Sequence, residues 1–135
     1  MRKRILVADD EWAILELLRI RLSKWGFEVS VAQNAKEFEN LAFTVKPDLV
    51  ILDIWFGNPG AGLQIYEDVI QAGFDPEIPV IFISAMADGD KLPKRAMKGG
   101  RFAFYGKPFD FKMMLEDIDR LTENVEVRTS QRNFD

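Results

Sequence analysis

Three short runs in this chain, ILVA at 5–8, LVIL at 49–52 and VIFI at 80–83, are apolar at every position. A strand with one wet face alternates apolar and polar residues; a strand apolar throughout is covered on both sides. Segments of helical period separate these runs. Arg4–Ala8 reads as a strand. Glu11–Trp25 reads as a helix with Leu15, Leu18, Leu22 and Trp25 on one stripe, stopped by Gly26. Phe27–Ala32 is a strand, and Asn34 caps the helix after it, with Glu37 completing a capping-box-like pattern. Leu49–Asp53 and Pro79–Ser84 are strands, a helix covers Leu63–Ala72 up to Gly73, and Phe102–Tyr105 is a short strand. Phe111, Met114, Leu115, Ile118 and Leu121 mark a last helix. Strand and helix alternating along one chain imply a parallel sheet with helices on both faces. FEVSVA alternates and FAFY is short and partly alternating, so these two suit the sheet edges. The expected fold is α/β, a flavodoxin-like doubly wound sheet of five parallel strands in the order 2-1-3-4-5.

The chain's 135 residues suffice for one domain and a core without covalent staples. Residues 1–123 are expected to form that domain, and 124–135, TENVEVRTSQRNFD from Thr122 onward, a polar tail or the start of a linker. The net charge of −4 argues against direct nucleic-acid binding. No apolar run is long enough to span a bilayer, and MRKR runs straight into ILVADDE, unlike a signal peptide. Cysteine is absent, which removes disulfide and thiolate chemistry and fits a cytoplasmic location. Histidine is absent too, which excludes imidazole acid–base catalysis, histidine metal ligands and a phosphohistidine on this chain.

In a parallel sheet every strand delivers its C-terminal end to one rim, and ligands bind there. The first strand ends in Ala8-Asp9-Asp10-Glu11, the third in Asp53 and the fourth in Ser84; Gly106-Lys107-Pro108 follows the fifth. Taken singly, each has an ordinary role: Asp9, Asp10 and Ser84 as helix caps, Asp53 as a turn former, Lys107 as a solvated loop residue. Taken together, they converge. Carboxylates packed side by side repel and resist ionisation, and a hard divalent cation such as Mg²⁺ removes that conflict. A lysine beside them is useful when an anion also arrives, and phosphate is the obvious one. A serine hydroxyl donates to the same anion. A carboxylate oxygen with such neighbours can act as the nucleophile in phosphoryl transfer.

VADDE, LVILD, FISA and GKPFD, in that order, resemble the receiver domain of two-component response regulators, from about Arg4 to Leu121. The resemblance implies that Asp53 accepts a phosphoryl group from a sensor histidine kinase or a histidine phosphotransfer protein. It implies that Asp10, Asp53 and the backbone carbonyl of Trp55 ligate Mg²⁺, with Asp9 holding a metal-bound water. Ser84 and Lys107 would grip phosphoryl oxygens, Phe104 would be the aromatic switch that follows the Ser84 hydroxyl, and Lys107–Pro108 would be a cis peptide. The first helix would dock the phosphodonor, with Trp12 and Ile20 off its apolar stripe and Trp12 partly exposed. The output would leave from the face made by ADGDKLPKRAMKGG (87–100), the fifth strand and the last helix. The recipient would be a downstream effector protein or an effector domain beyond this segment; dimerisation through the last helix stays open. Such a domain is no enzyme beyond its own phosphorylation and dephosphorylation.

The sequence departs from the family pattern in places. After Asp53 the proline comes late, at Pro59, and the glycine, Gly62, falls one residue late, as an insertion would place them. Ser84 stands where threonine is commoner, Phe104 lacks a tyrosine's hydroxyl, and Gly99-Gly100 replaces the usual Gly-Ala. In 87–100 a short helix is expected from Asp90, with Pro93 in its first turn and Lys91, Lys94, Arg95 and Lys98 making a basic surface. Trp55 and Met86, each two residues beyond a site residue, are bulky enough to shield an acyl phosphate from water, so self-dephosphorylation is expected to be slow. Two rivals remain. A haloacid-dehalogenase-type phosphatase wants a second aspartate two residues after the first, where this chain has Trp55. A receiver-like module that binds partners without phosphorylation would have no need of the full set of site residues.

Overall fold

The computed structural model describes residues 2–58, 60–84, 96–98 (backbone only) and 101–123. The elements run β1 (Arg4–Ala8), α1 (Trp12–Lys24), β2 (Glu28–Ala32), α2 (Ala35–Thr44), β3 (Leu49–Asp53), α3 (Ala61–Gln71), β4 (Val80–Ser84), β5 (Ala96–Lys98), β6 (Phe102–Gly106) and α4 (Phe111–Leu121). Strands β2-β1-β3-β4-β6 are parallel neighbours in that order, which is the expected arrangement of five. The all-apolar runs lie in β1, β3 and β4, the middle three of the five parallel strands, and β3 and β4 are buried at every position.

Alternation along each strand sends side chains to two separate cores. Ile5, Val7, Leu49, Ile51, Ile81, Ile83, Ala103 and Tyr105 face α1 and α4, meeting Leu15, Leu18, Leu22, Met114 and Ile118. Leu6, Ala8, Val50, Leu52, Val80 and Phe82 face α2 and α3, meeting Phe38, Ala42, Ile65 and Val69. Phe27, Val29 and Val31 all pack on the first of these cores, as the alternation in FEVSVA requires. Asn34 caps α2 by accepting from the Glu37 N–H at 2.9 Å; the Glu37 carboxylate reaches back one residue further than a reciprocal box would, to the Gln33 N–H at 2.8 Å.

Two expectations change. Trp25 is not on the buried stripe of α1 but 64% exposed. The helix stops at Lys24, and Gly26, at φ +97°, turns the chain before the Trp25 ring can reach the sheet. The sheet also does not end at β6. Ala96–Lys98, the close of the segment expected to be helical, is an antiparallel strand on the outer edge of β6, pairing Met97 with Ala103. It satisfies backbone groups that an edge strand leaves open. The expected helix start at Asp90, Pro93, the basic side chains of that segment and Met86 lie outside the described residues, as does the 124–135 tail.

Candidate functional site

The C-terminal rim of the parallel strands gathers the predicted residues. Asp9 follows β1, Asp53 ends β3, Ser84 ends β4, and Lys107 follows β6. One carboxylate oxygen from each of Asp9, Asp10 and Asp53 lies within 4.8 Å of the other two. Asp9 and Asp53 are buried, whereas Asp10 is exposed at the mouth. Lys107 Nζ donates to Asp9 Oδ2 at 2.8 Å, stands 3.4 Å from Glu11 Oε1, and is 4.0 Å from Asp53 Oδ2. Glu11 thus joins the cluster, and its place beside Asp10 is the sequence signal for it.

Each side chain is held by local backbone. Asp9 Oδ1 accepts from the Glu11 N–H at 2.9 Å, so the aspartate also fastens the start of α1, where Glu11 itself makes no side-chain cap. Asp53 Oδ1 accepts from the Trp55 N–H at 3.2 Å. The Lys107 N–H donates to the Ser84 carbonyl at 2.7 Å, and Ile54 N–H to the Ile83 carbonyl at 2.8 Å, tying the rim ends of β3, β4 and β6 together. The Lys107–Pro108 bond is cis, as expected. Trp55 is half-buried, and its carbonyl accepts from the Gly57 N–H at 3.1 Å, leaving its second lone pair. Phe104 stacks on Phe82 with ring centroids 5.2 Å apart, on the α2/α3 side of the sheet.

Gly62, in the first turn of α3, packs closely on the end of β3. Its N–H donates to the Ile54 carbonyl at 2.9 Å, and a Cβ built there would lie 1.9 Å from the Asp53 carbonyl oxygen. No side chain fits that gap. Earlier in the loop Gly57 and Gly60 adopt φ +86° and +74°, and Gly62 lets α3 lean on the backbone of Asp53.

The electrostatics are those of crowded acids. Burial, then the charge of Asp9, push the Asp53 carboxyl up from 3.8 to about 7, against the pull of Lys107 and the Trp55 N–H. Burial also raises Asp9 above its ordinary value, more than the Lys107 bond lowers it. For Lys107, burial opposes the charge, but the bond to Asp9 and the charges of Asp9, Asp53 and Glu11 outweigh it and hold its pKa high. Three carboxylates facing a single lysine make an all-oxygen cluster with excess negative charge, which fits a hard divalent cation.

Residues 5–119 match the family model described as response regulator receiver domain. The chain is 30% identical over 136 residues to the probable transcriptional regulator ycf27 of Cyanophora paradoxa, covering 98% of this chain and 54% of that one. It is 33% identical to the response regulator protein PilR of Pseudomonas aeruginosa, covering 98% of this chain and 27% of that one. The chain thus spans about half or less of the length of these relatives. Among solved structures, the response regulator TrrA of Thermotoga maritima in complex with Mg²⁺-BeF superposes with a TM-score of 0.67 at 31% identity, covering 88% of this chain and 98% of that one. A CheY-like receiver domain protein from Methanospirillum hungatei, at 23% identity and a TM-score of 0.75, shares the fold over 95% of this chain and 99% of that one. Among the described residues, no helix is long and apolar enough to cross a membrane.

Proposed function

Because the chain belongs to the response regulator receiver domain family, we propose that it is a Mg²⁺-dependent phospho-acceptor, in which Asp53 takes a phosphoryl group from a histidine kinase or histidine phosphotransfer protein. The observation that supports this most is the convergence of Asp9, Asp10, Asp53 and Lys107 at one rim from residues 98 positions apart. Asp10, Asp53 and the Trp55 carbonyl are the groups that would hold Mg²⁺, with Asp9 acting through a bound water. When bound, the ion neutralises charge on the carboxylates and on the phosphoryl oxygens.

The chain's own residues do the rest. An Asp53 carboxylate oxygen attacks phosphorus, the phosphorus–nitrogen bond of the donor imidazole breaks, and the imidazole nitrogen leaves with the electron pair. Lys107 is placed to pair the added negative charge, and the Ser84 hydroxyl to donate to a phosphoryl oxygen. Drawing Lys107 and Ser84 toward a new anion biases the ends of β4 and β6, and Phe104 sits on β6 against Phe82 where that bias is felt. We read the exposed part of α1, where Trp12 and Ile20 are each 54% exposed, as the donor-docking face. The recipient is an effector protein, or an effector domain of a longer regulator in the cytoplasm. The chain's catalysis is confined to itself. The test is incubation with acetyl phosphate and Mg²⁺: an acid-stable, hydroxylamine-labile phosphoryl group should form on Asp53 and be absent in Asp53→Asn. Its absence from the wild-type protein would overturn the reading.

A further inference from the structure

Asp117, on the inner side of α4, is a fully buried carboxylate that phosphoryl transfer does not use. Its Oδ2 accepts from the Tyr105 hydroxyl at 2.5 Å, and its Oδ1 pairs with the Arg120 guanidinium one turn along the helix. Tyr105 is itself fully buried, in β6. A buried charge is a poor way merely to glue a helix to a sheet: an apolar side chain of similar volume is often as stable or better. A directional bond adds register, because the Tyr105 hydroxyl must meet one point on α4.

That register bears on the site. Tyr105 lies two residues before Lys107 and Phe109 two after it. The two rings meet edge to face at 6.3 Å, so the residues flanking Lys107 in the chain are packed on each other. Phe109 packs on Phe111 at 5.4 Å, and the Arg21 guanidinium of α1 lies 4.9 Å over the Phe111 ring. On its other side the Lys107 backbone is tied to Ser84. We propose that Tyr105 and Asp117 are positioning residues for Lys107: their buried bond fixes β6 against α4, and the aromatic pair passes that position to the lysine that the reading above assigns to the phosphoryl group.

The experiment uses the full chain and Tyr105→Phe, which removes one oxygen and keeps the ring. Val69→Ala, in the opposite core layer, serves as a comparison with a stability loss of its own. Lysine side chains are labelled with ¹³C, and the Lys107 Cε signal is assigned by its loss in Lys107→Arg. Without metal or phosphodonor, Tyr105→Phe should move that signal and Val69→Ala should not. With acetyl phosphate and Mg²⁺, Tyr105→Phe should be phosphorylated about 10-fold more slowly, and Asp117→Asn should be slowed in the same direction. An unmoved Lys107 signal in Tyr105→Phe, or equal slowing by Val69→Ala, overturns the proposal. A wild-type protein that takes no phosphoryl group sinks the acceptor reading instead, and the Lys107 signal still decides the positioning role.

Discussion

Lys107 is bonded to Asp9, at 2.8 Å, and stands farther from Asp53, at 4.0 Å. Without a phosphoryl group the cation therefore serves the residue at the base of the cluster. Lys107→Ala strands a buried carboxylate, and the expected loss is about 3 kcal/mol at pH 8. The loss should shrink near pH 4, because burial raises both Asp9 and Asp53 toward their neutral forms, and urea unfolding at the two pH values measures it. An equal loss at both would mean that packing, not charge, is what Lys107 supplies.

The Asp53 carboxyl, at about 7 in the folded protein against an ordinary 3.8, gives a pH dependence of definite sign. Between those values the folded chain holds a proton that the unfolded chain has released. Stability therefore falls as pH rises through that window, and the full cost is present above pH 7. In metal-free buffer at pH 8, Asp53→Asn should stabilise the fold by about 1–3 kcal/mol, with the gain gone near pH 4. Added Mg²⁺ should raise the melting temperature of the wild type more than that of the variant. A variant less stable than wild type at pH 8 without metal would contradict the crowding of charge described here.

Gly62→Ala should be costly although only a methyl group is added. With a Cβ 1.9 Å from the Asp53 carbonyl oxygen, backbone must move, and a loss of about 3 kcal/mol is expected by denaturant unfolding. The displaced backbone is that of Asp53, so phosphorylation by acetyl phosphate should also slow.

Trp12 is 54% exposed on α1, so Trp12→Ala should change stability by less than about 0.5 kcal/mol. Phosphotransfer from a phosphohistidine protein should slow, while reaction with acetyl phosphate should not. Equal rates from the protein donor would remove Trp12 from the docking face.

Trp55 lies half-buried beside Asp53, its N–H bonded to the Asp53 carboxylate. Trp55→Ser keeps that backbone bond and opens the site to water. The phosphorylated form should decay several-fold faster, followed as loss of the acid-stable label; an unchanged half-life would mean that the indole shields nothing.

The sheet order and the gathering of Asp9, Asp10, Asp53, Ser84 and Lys107 were legible because both rest on local patterns. Apolar runs mark covered strands, and a parallel sheet sends their C-terminal ends to one place. What escaped the sequence depended on partners distant in the chain. Asp117 looks like any helix acid until Tyr105 is seen beneath it. Trp25 keeps helical spacing but stands past the last turn, so periodicity placed it on a stripe it does not reach. Ala96–Lys98 carries no strand pattern; an open edge on β6 recruits it. The closeness of Gly62 to Asp53 is a contact between backbones, and no side-chain pattern announces it.

Adjacent residues of β6 look in opposite directions: Phe104 lies against Phe82 in one core, and Tyr105 lies in the other beneath α4. A slide of this strand at its lysine end cannot be kept private to one half of the molecule. Whatever tugs on Lys107 is felt at once by both layers of helices, so a single event at the rim has two exits.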